Sequence, residues 1–336
     1  MSSLAATSDN PNGGGASPPG GPVIPLLRIF ALAVVAITFS YLLNNYLDFW
    51  RGWPGAGNSY DLYGLIQLAI YLVAVAGVVI YVSRTPECSM HADAERLSAL
   101  TAYIVRSVFW ATLFIGLADM VLSFLRVEGL LGDVVGHDLA QDLSQPRPRG
   151  LYVHYPLIAL GFAIGLVVRS LGFYWLAYLV VVAEIEIVIA RFIFSYEQAF
   201  MADLVRFWYG ALFLFASAYT LVEEGHVRVD ILYSGFSERG KAWTNALGSL
   251  LLGLPLCWVI IAMGTWGRSD MINGPLINFE VTQQGYGMYV KYLLAGFLLI
   301  FALTMLIQFM SYLLSSAAVL LREKGWHPDF REHTQI

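Results

Sequence analysis

Charge is scarce in this sequence. Only 13% of its 336 residues are Asp, Glu, Lys or Arg, and 58% are apolar, whereas a soluble domain carries about 25% charged residues. That balance excludes an ordinary water-soluble globule, and a mean hydropathy of +0.64 points to lipid as the solvent. The net charge of −5 leaves no basic footprint for nucleic acid. Cysteine is nearly absent. Cys88 and Cys257 form neither a Cys-x-x-Cys pair nor a haem-attachment motif, and Cys257, inside an apolar run, acts as a small hydrophobe. The six histidines, His91, His137, His154, His226, His327 and His333, fall in loops, tails or at the edge of an apolar run. A haem held by two helical histidines therefore has no ligands. No His/Glu/Cys group has metal-ligand spacing, no Gly-rich loop cradles phosphate, and no nucleophile has a base at an interpretable spacing. The expectation is a chain that is not an enzyme and has no cofactor.

What the sequence does contain is a series of apolar segments of membrane length. They run over 23–43, 63–82, 102–125, 155–170, 172–194, 204–222, 246–266 and 288–314. The expected fold is all-α, a polytopic membrane helix bundle of about eight transmembrane helices in the lipid bilayer. The stretch 155–194 is about 40 residues long, roughly 60 Å as one helix and twice the hydrocarbon thickness. A reversal at Arg169–Gly172 is therefore expected. Ser, Gly and Pro dominate residues 1–22, which cannot bury a core. With eight crossings, Arg84, Arg96, Arg169, Arg228, Arg239, Lys241, Arg322, Lys324 and Arg331 all face the cytoplasm, along with both termini. Two loops then face outward, 127–154 and 268–287. Each reads either as surface for a periplasmic partner or as a plain connector. Trp50, Trp53, Trp175, Trp208, Trp243 and Trp266 fall near expected helix ends, as interface anchors do. Gly161 and Gly165 have the spacing of a close helix–helix contact.

Three acids stand inside apolar segments, where each central charge costs roughly 2.5–3.5 kcal/mol on insertion scales. Glu184 and Glu186, mid-way along the fifth segment, point in well-separated directions on a helix and so make neither an acid/base pair nor a two-ligand clamp. Three readings stay open for them: bonding within the bundle, contact with another membrane subunit, or a proton or cation relay. Asp119, on the third segment, lies at a depth similar to that of Arg191 on the fifth, which allows an ion pair across the two helices.

The most charge-dense piece is 223–243, Glu-Glu-Gly-His-Val-Arg-Val-Asp-Ile-Leu-Tyr-Ser-Gly-Phe-Ser-Glu-Arg-Gly-Lys-Ala-Trp. Val227, Val229 and Ile231 alternate with His226, Arg228 and Asp230, a pattern that makes sense only if one side is buried. Ser237 before Glu238 reads as a helix cap with an acid at the positive end. The expected element is short and folded, and lies at the membrane surface.

This stretch resembles the signature of the DctQ-like small membrane subunit of tripartite ATP-independent periplasmic (TRAP) transporters. Members carry a similar Gly-His-Val-Arg-Val-Asp-Ile-Leu run followed by Ser-x-Arg, here ending at Arg239. The resemblance extends to Arg191-Phe192-Ile193-Phe194 and to the pair Asp203 and Arg206, and covers roughly 171–321. It implies four domain regions: a tail at 1–22, an N-terminal four-helix membrane extension at 23–170, the small-permease region at 171–321, and a cytoplasmic tail at 322–336. It further implies a subunit that binds no substrate itself and braces a large permease subunit, for sodium-coupled uptake of a small organic acid delivered by a periplasmic substrate-binding protein. Arg191, Asp203, Arg206, His226, Arg228, Asp230 and Arg239 are then structural residues. The alternative is a scaffold or assembly subunit of another inner-membrane enzyme complex.

Overall fold

A computed structural model describes residues 23–58, 60–169, 173–196, 199–222, 233, 235–281 and 287–323. Among these residues the protein is all-helical. The helices are α1 (Val23–Arg51), α2 (Leu62–Arg84), α3 (Met90–Val127), α4 (Leu131–Val135), α5 (His137–Leu143), α6 (Pro146–Arg149), α7 (Tyr155–Val167), α8 (Phe173–Ile193), α9 (Ala199–Val222), α10 (Glu238–Gly248), α11 (Leu254–Thr265), α12 (Asn273–Asn278) and α13 (Lys291–Leu320). Wider, π-type turns at Gly150–His154 and Ser249–Gly253 join α6 to α7 and α10 to α11.

Those two turns have a common cause. Each precedes a proline, Pro156 or Pro255, which has no N–H and clashes with the carbonyl one turn back. The residue just before each proline bonds five residues back instead of four, Tyr155 to Gly150 and Leu254 to Ser249. The chain thus absorbs the proline without breaking the span. Helix starts elsewhere are set by polar caps. The Asp61 side chain accepts from Tyr63 N, the Ser89 side chain from Ala92 N, and the Ser237 side chain from Gly240 N. Ser237 thus opens α10 with Glu238 in its first turn, as its sequence implies.

Seven helical stretches are long and apolar enough to cross a membrane: Val23–Arg51, Leu62–Arg84, Met90–Val127, Pro146–Val167, Phe200–Ala218, Glu238–Thr265 and Lys291–Leu320. The eighth expected span is also a helix, the 21-residue α8, which carries three ionisable residues, Glu184, Glu186 and Arg191. It runs the depth of the bundle. Gly165, near the end of α7, packs on Ser107 of α3, while Tyr196, just past α8, bonds Glu128 beyond the far end of α3. The stretch 155–194 therefore holds two helices, α7 and α8.

Helices α3 and α13 form the centre. One apolar core joins the C-terminal half of α3 to α8, α9 and the start of α13. The other joins the first half of α3 to α1, α11 and the rest of α13. At 38 residues, α3 is roughly 57 Å long and extends well beyond the hydrocarbon thickness. Its first turns, with Asp93 and Arg96, are polar, which is why hydropathy placed its start at Ala102. Helix α7 lies against α3 at close range. A Cβ on Gly161 would sit 2.5 Å from Ala111 N, and one on Gly165 would sit 3.1 Å from Ser107 Cα. The glycine pair is a packing seam.

Two expectations are corrected here. Trp208 is no interface anchor: it is 2% exposed and packs on Gly116 of α3, where only a glycine leaves room for the indole. The loop 127–154 is no plain connector. It folds into α4, α5 and α6 and buries Leu131, Leu143, Arg149 and His154.

Candidate functional site

A buried charge cluster lies where α3 ends and α13 begins. Asp119, Arg149 and His154 are all 0% exposed. Asp119 Oδ1 accepts from Arg149 Nε and, at 2.9 Å, from His154 Nε2. Its Oδ2 accepts from the Tyr289 backbone N–H at 2.9 Å. Arg149 Nη2 also donates to the Asp119 carbonyl at 2.7 Å and to Ser123 Oγ at 2.8 Å. His154 Nδ1 lies 2.8 Å from Tyr292 Oη. An ionised carboxylate only accepts, so His154 donates from Nε2, and Nδ1 shares a hydrogen bond with the Tyr292 hydroxyl.

The Tyr289 ring closes the cluster, with the Arg149 and Arg126 guanidinium carbons 4.8 and 4.4 Å from its centroid. Arg126 Nη2 also donates to Gly287 O at 2.8 Å. Gly150 permits the close approach of Phe279 and Tyr292, since a Cβ there would meet Phe279 Cε1 at 2.5 Å and Tyr292 Oη at 3.0 Å. The arrangement ties three distant segments into one knot: α3, the π-type turn before α7, and the start of α13. Chemically it is a fastener. Both carboxylate oxygens are occupied by donors of the protein itself.

A second fastener lies at the opposite end. Arg28 on α1 and Asp93 on α3 pair at 2.7 Å, each 1% exposed. Arg28 also donates to Thr85 O at 2.8 Å and to Thr85 Oγ1 at 3.0 Å. Asp93 Oδ1 further accepts from Tyr81 Oη and Arg96 Nη1, both at 3.0 Å. Beside it, the Glu323 carboxylate caps Met90 N at 3.0 Å. The start of α1 and the end of α13 therefore share one end of the bundle, as an even number of crossings requires.

Asp119 is buried, but its partners are Arg149 and His154 and not Arg191, which is exposed on α8. Asp203 accepts from Met288 N at 3.1 Å and lies 3.6 Å from Arg206, an exposed side chain of the same helix. Glu184 and Glu186 are exposed on α8, and Arg239 is in the first turn of α10. His226, Arg228 and Asp230 lie outside the described residues. Arg149, His154, Arg28 and Asp93 went unnoticed as site residues. Arg28, a charge within the first apolar run, was the one available signal.

The family model described as "Tripartite ATP-independent periplasmic transporters, DctQ component" matches residues 178–318. Residues 178–318 therefore belong to the DctQ family. No curated protein and no solved structure matches the chain. The DctQ region takes in most of α8 and all of α9 to α12, and ends near the end of α13. Helices α1 to α7 precede it as additional helices, several of them long and apolar enough to cross a membrane. The chain thus carries a DctQ region, with an N-terminal addition packed onto its helices through α3.

Proposed function

We propose that this chain is the non-catalytic small permease subunit of a TRAP-type secondary transporter. In this reading it braces the large permease subunit during sodium-coupled, binding-protein-dependent uptake of a small organic acid. Both termini and the 223–243 stretch face the cytoplasm. The match over residues 178–318 is the observation that carries the reading. The Asp119 and Arg28 knots support it, since both are turned to holding helices together. Arg191, Asp203, Arg206, His226, Arg228, Asp230 and Arg239 act through the shape of the subunit and not through contact with substrate.

The test is affinity capture of the full chain from mildly solubilised native membranes. A polytopic permease is expected as its main stoichiometric partner. Recovery of an unrelated membrane enzyme in that position would contradict the proposal. In the same experiment, Arg228→Ala should lower the captured permease. A charge-assisted bond there would contribute about 1.5–3 kcal/mol, and its loss should leave the half-saturating substrate concentration nearly unchanged.

A further inference from the structure

Helix α8 meets the rest of the protein along one stripe. Leu176 and Ala183 are buried, with Leu179, Val180 and Ile187 packed beside them, against the core that includes α9. The opposite face is apolar and bare: Tyr174 is 89% exposed, Ile185 53% and Phe192 78%. Lipid alone would suit that face. It does not suit Glu184 and Glu186, which stand near the middle of this 21-residue helix and are both exposed. At 100° per residue they flank the buried stripe on opposite sides. Among the described residues neither carboxylate has a hydrogen bond or an ion pair. Ionisable groups at mid-membrane depth face protein or water and pair with donors. Among the described residues the protein offers none here, and a second polypeptide over α8 would supply them.

We infer that the large permease subunit covers α8 and presents Arg, Lys or other hydrogen-bond donors to Glu184 and Glu186 at matching depth. This rests on the small-permease reading above. A second copy of this chain does not meet the need. Copies related by a two-fold axis normal to the bilayer bring equal depths together, so carboxylate would face carboxylate. Arg191 is on the same flank as Glu184 but seven residues further along, about 10.5 Å away in depth, and cannot neutralise it across such an axis. The bare apolar face between the two acids supplies the packing area, and the acids fix register and partner identity.

The test uses the tagged full chain in its native membrane with its partners. A photo-activatable residue at Ile185 in the wild-type acid background should cross-link to the large permease. Cross-links to a second copy, or to lipid alone, would overturn the inference. Glu184→Gln with Glu186→Gln keeps side-chain shape and removes both charges. The double variant should accumulate and melt as the wild type does, while the amount of captured large permease falls at least tenfold. Capture at the wild-type level would overturn the inference and leave the small-permease reading standing. If the wild-type chain itself captures no large permease, it is the small-permease reading that has failed. Should the double variant fail to accumulate, the cross-link from Ile185 decides the matter.

Discussion

Asp119→Leu is expected to lower the melting temperature of the solubilised protein by several degrees. The carboxylate holds Arg149, His154 and the Tyr289 N–H in a site with no access to water. Its removal leaves a buried guanidinium with no counter-charge, which costs about 3–5 kcal/mol. Domains of about 150–250 residues shift by roughly 2–4 °C per kcal/mol, and a longer chain by somewhat less. The partner substitution sharpens the test. Replacing a whole buried ion pair by apolar side chains is often neutral or stabilising, so adding Arg149→Met to Asp119→Leu should recover most of the loss. A double variant no more stable than the single one would mean that the pair is not the source of the effect. The measurement is thermal unfolding of both variants beside the wild type, in one detergent.

Asp93→Leu is expected to be nearly as severe, and Arg28→Met milder. The asymmetry follows from the partners each leaves behind. Without Asp93, buried Arg28 keeps, among the described residues, only the two Thr85 oxygens, neither of them charged, and the cost is again about 3–5 kcal/mol. Without Arg28, Asp93 still accepts from Tyr81 and from Arg96. The loss is then closer to one charged hydrogen bond, about 1.5–3 kcal/mol. Paired melting curves check the order. Equal losses, or a larger one for Arg28→Met, would contradict the geometry.

Both predictions concern contacts that no local pattern announces. Hydropathy placed all eight long helical segments, because a run of apolar residues in lipid has few alternatives to helix. It also located the break between α7 and α8 and the glycine seam. Ser237 was legible as a cap because capping is local. The boundaries of α3 were not, since its polar first turns are stabilised by Arg28, Tyr81 and Glu323 from elsewhere in the chain. The same holds for Arg149 and His154. In sequence they sit in a Pro- and Gly-rich connector, and only the approach of α3 and of the start of α13 makes them a buried site. Asp119 was recognisable as a charge that must find a partner, yet its partners lie 30 and 35 residues away. Trp208 misled because aromatic belts and aromatic cores use the same residue. The DctQ signature was the most informative local pattern, and its central residues, His226, Arg228 and Asp230, lie outside the described structure. Their role in shaping that stretch is proposed and not observed.

We further propose that the N-terminal helices and the DctQ helices form one folding unit, fastened at one end by Asp119 and at the other by Arg28 and Glu323. The extension then enlarges the brace without adding a transport site. Its α3 fills positions beside α9 and α13 that would otherwise meet lipid.

Transport by reconstituted protein tests the account most directly. The purified chain is placed in liposomes under an inward sodium gradient, alone or together with its large permease, and radiolabelled organic acids are supplied with the substrate-binding protein. No uptake is expected from the chain alone. Uptake is expected when both membrane subunits and the binding protein are present, and it should fall when this chain is left out. Sodium-driven uptake by this chain alone would contradict the bracing role.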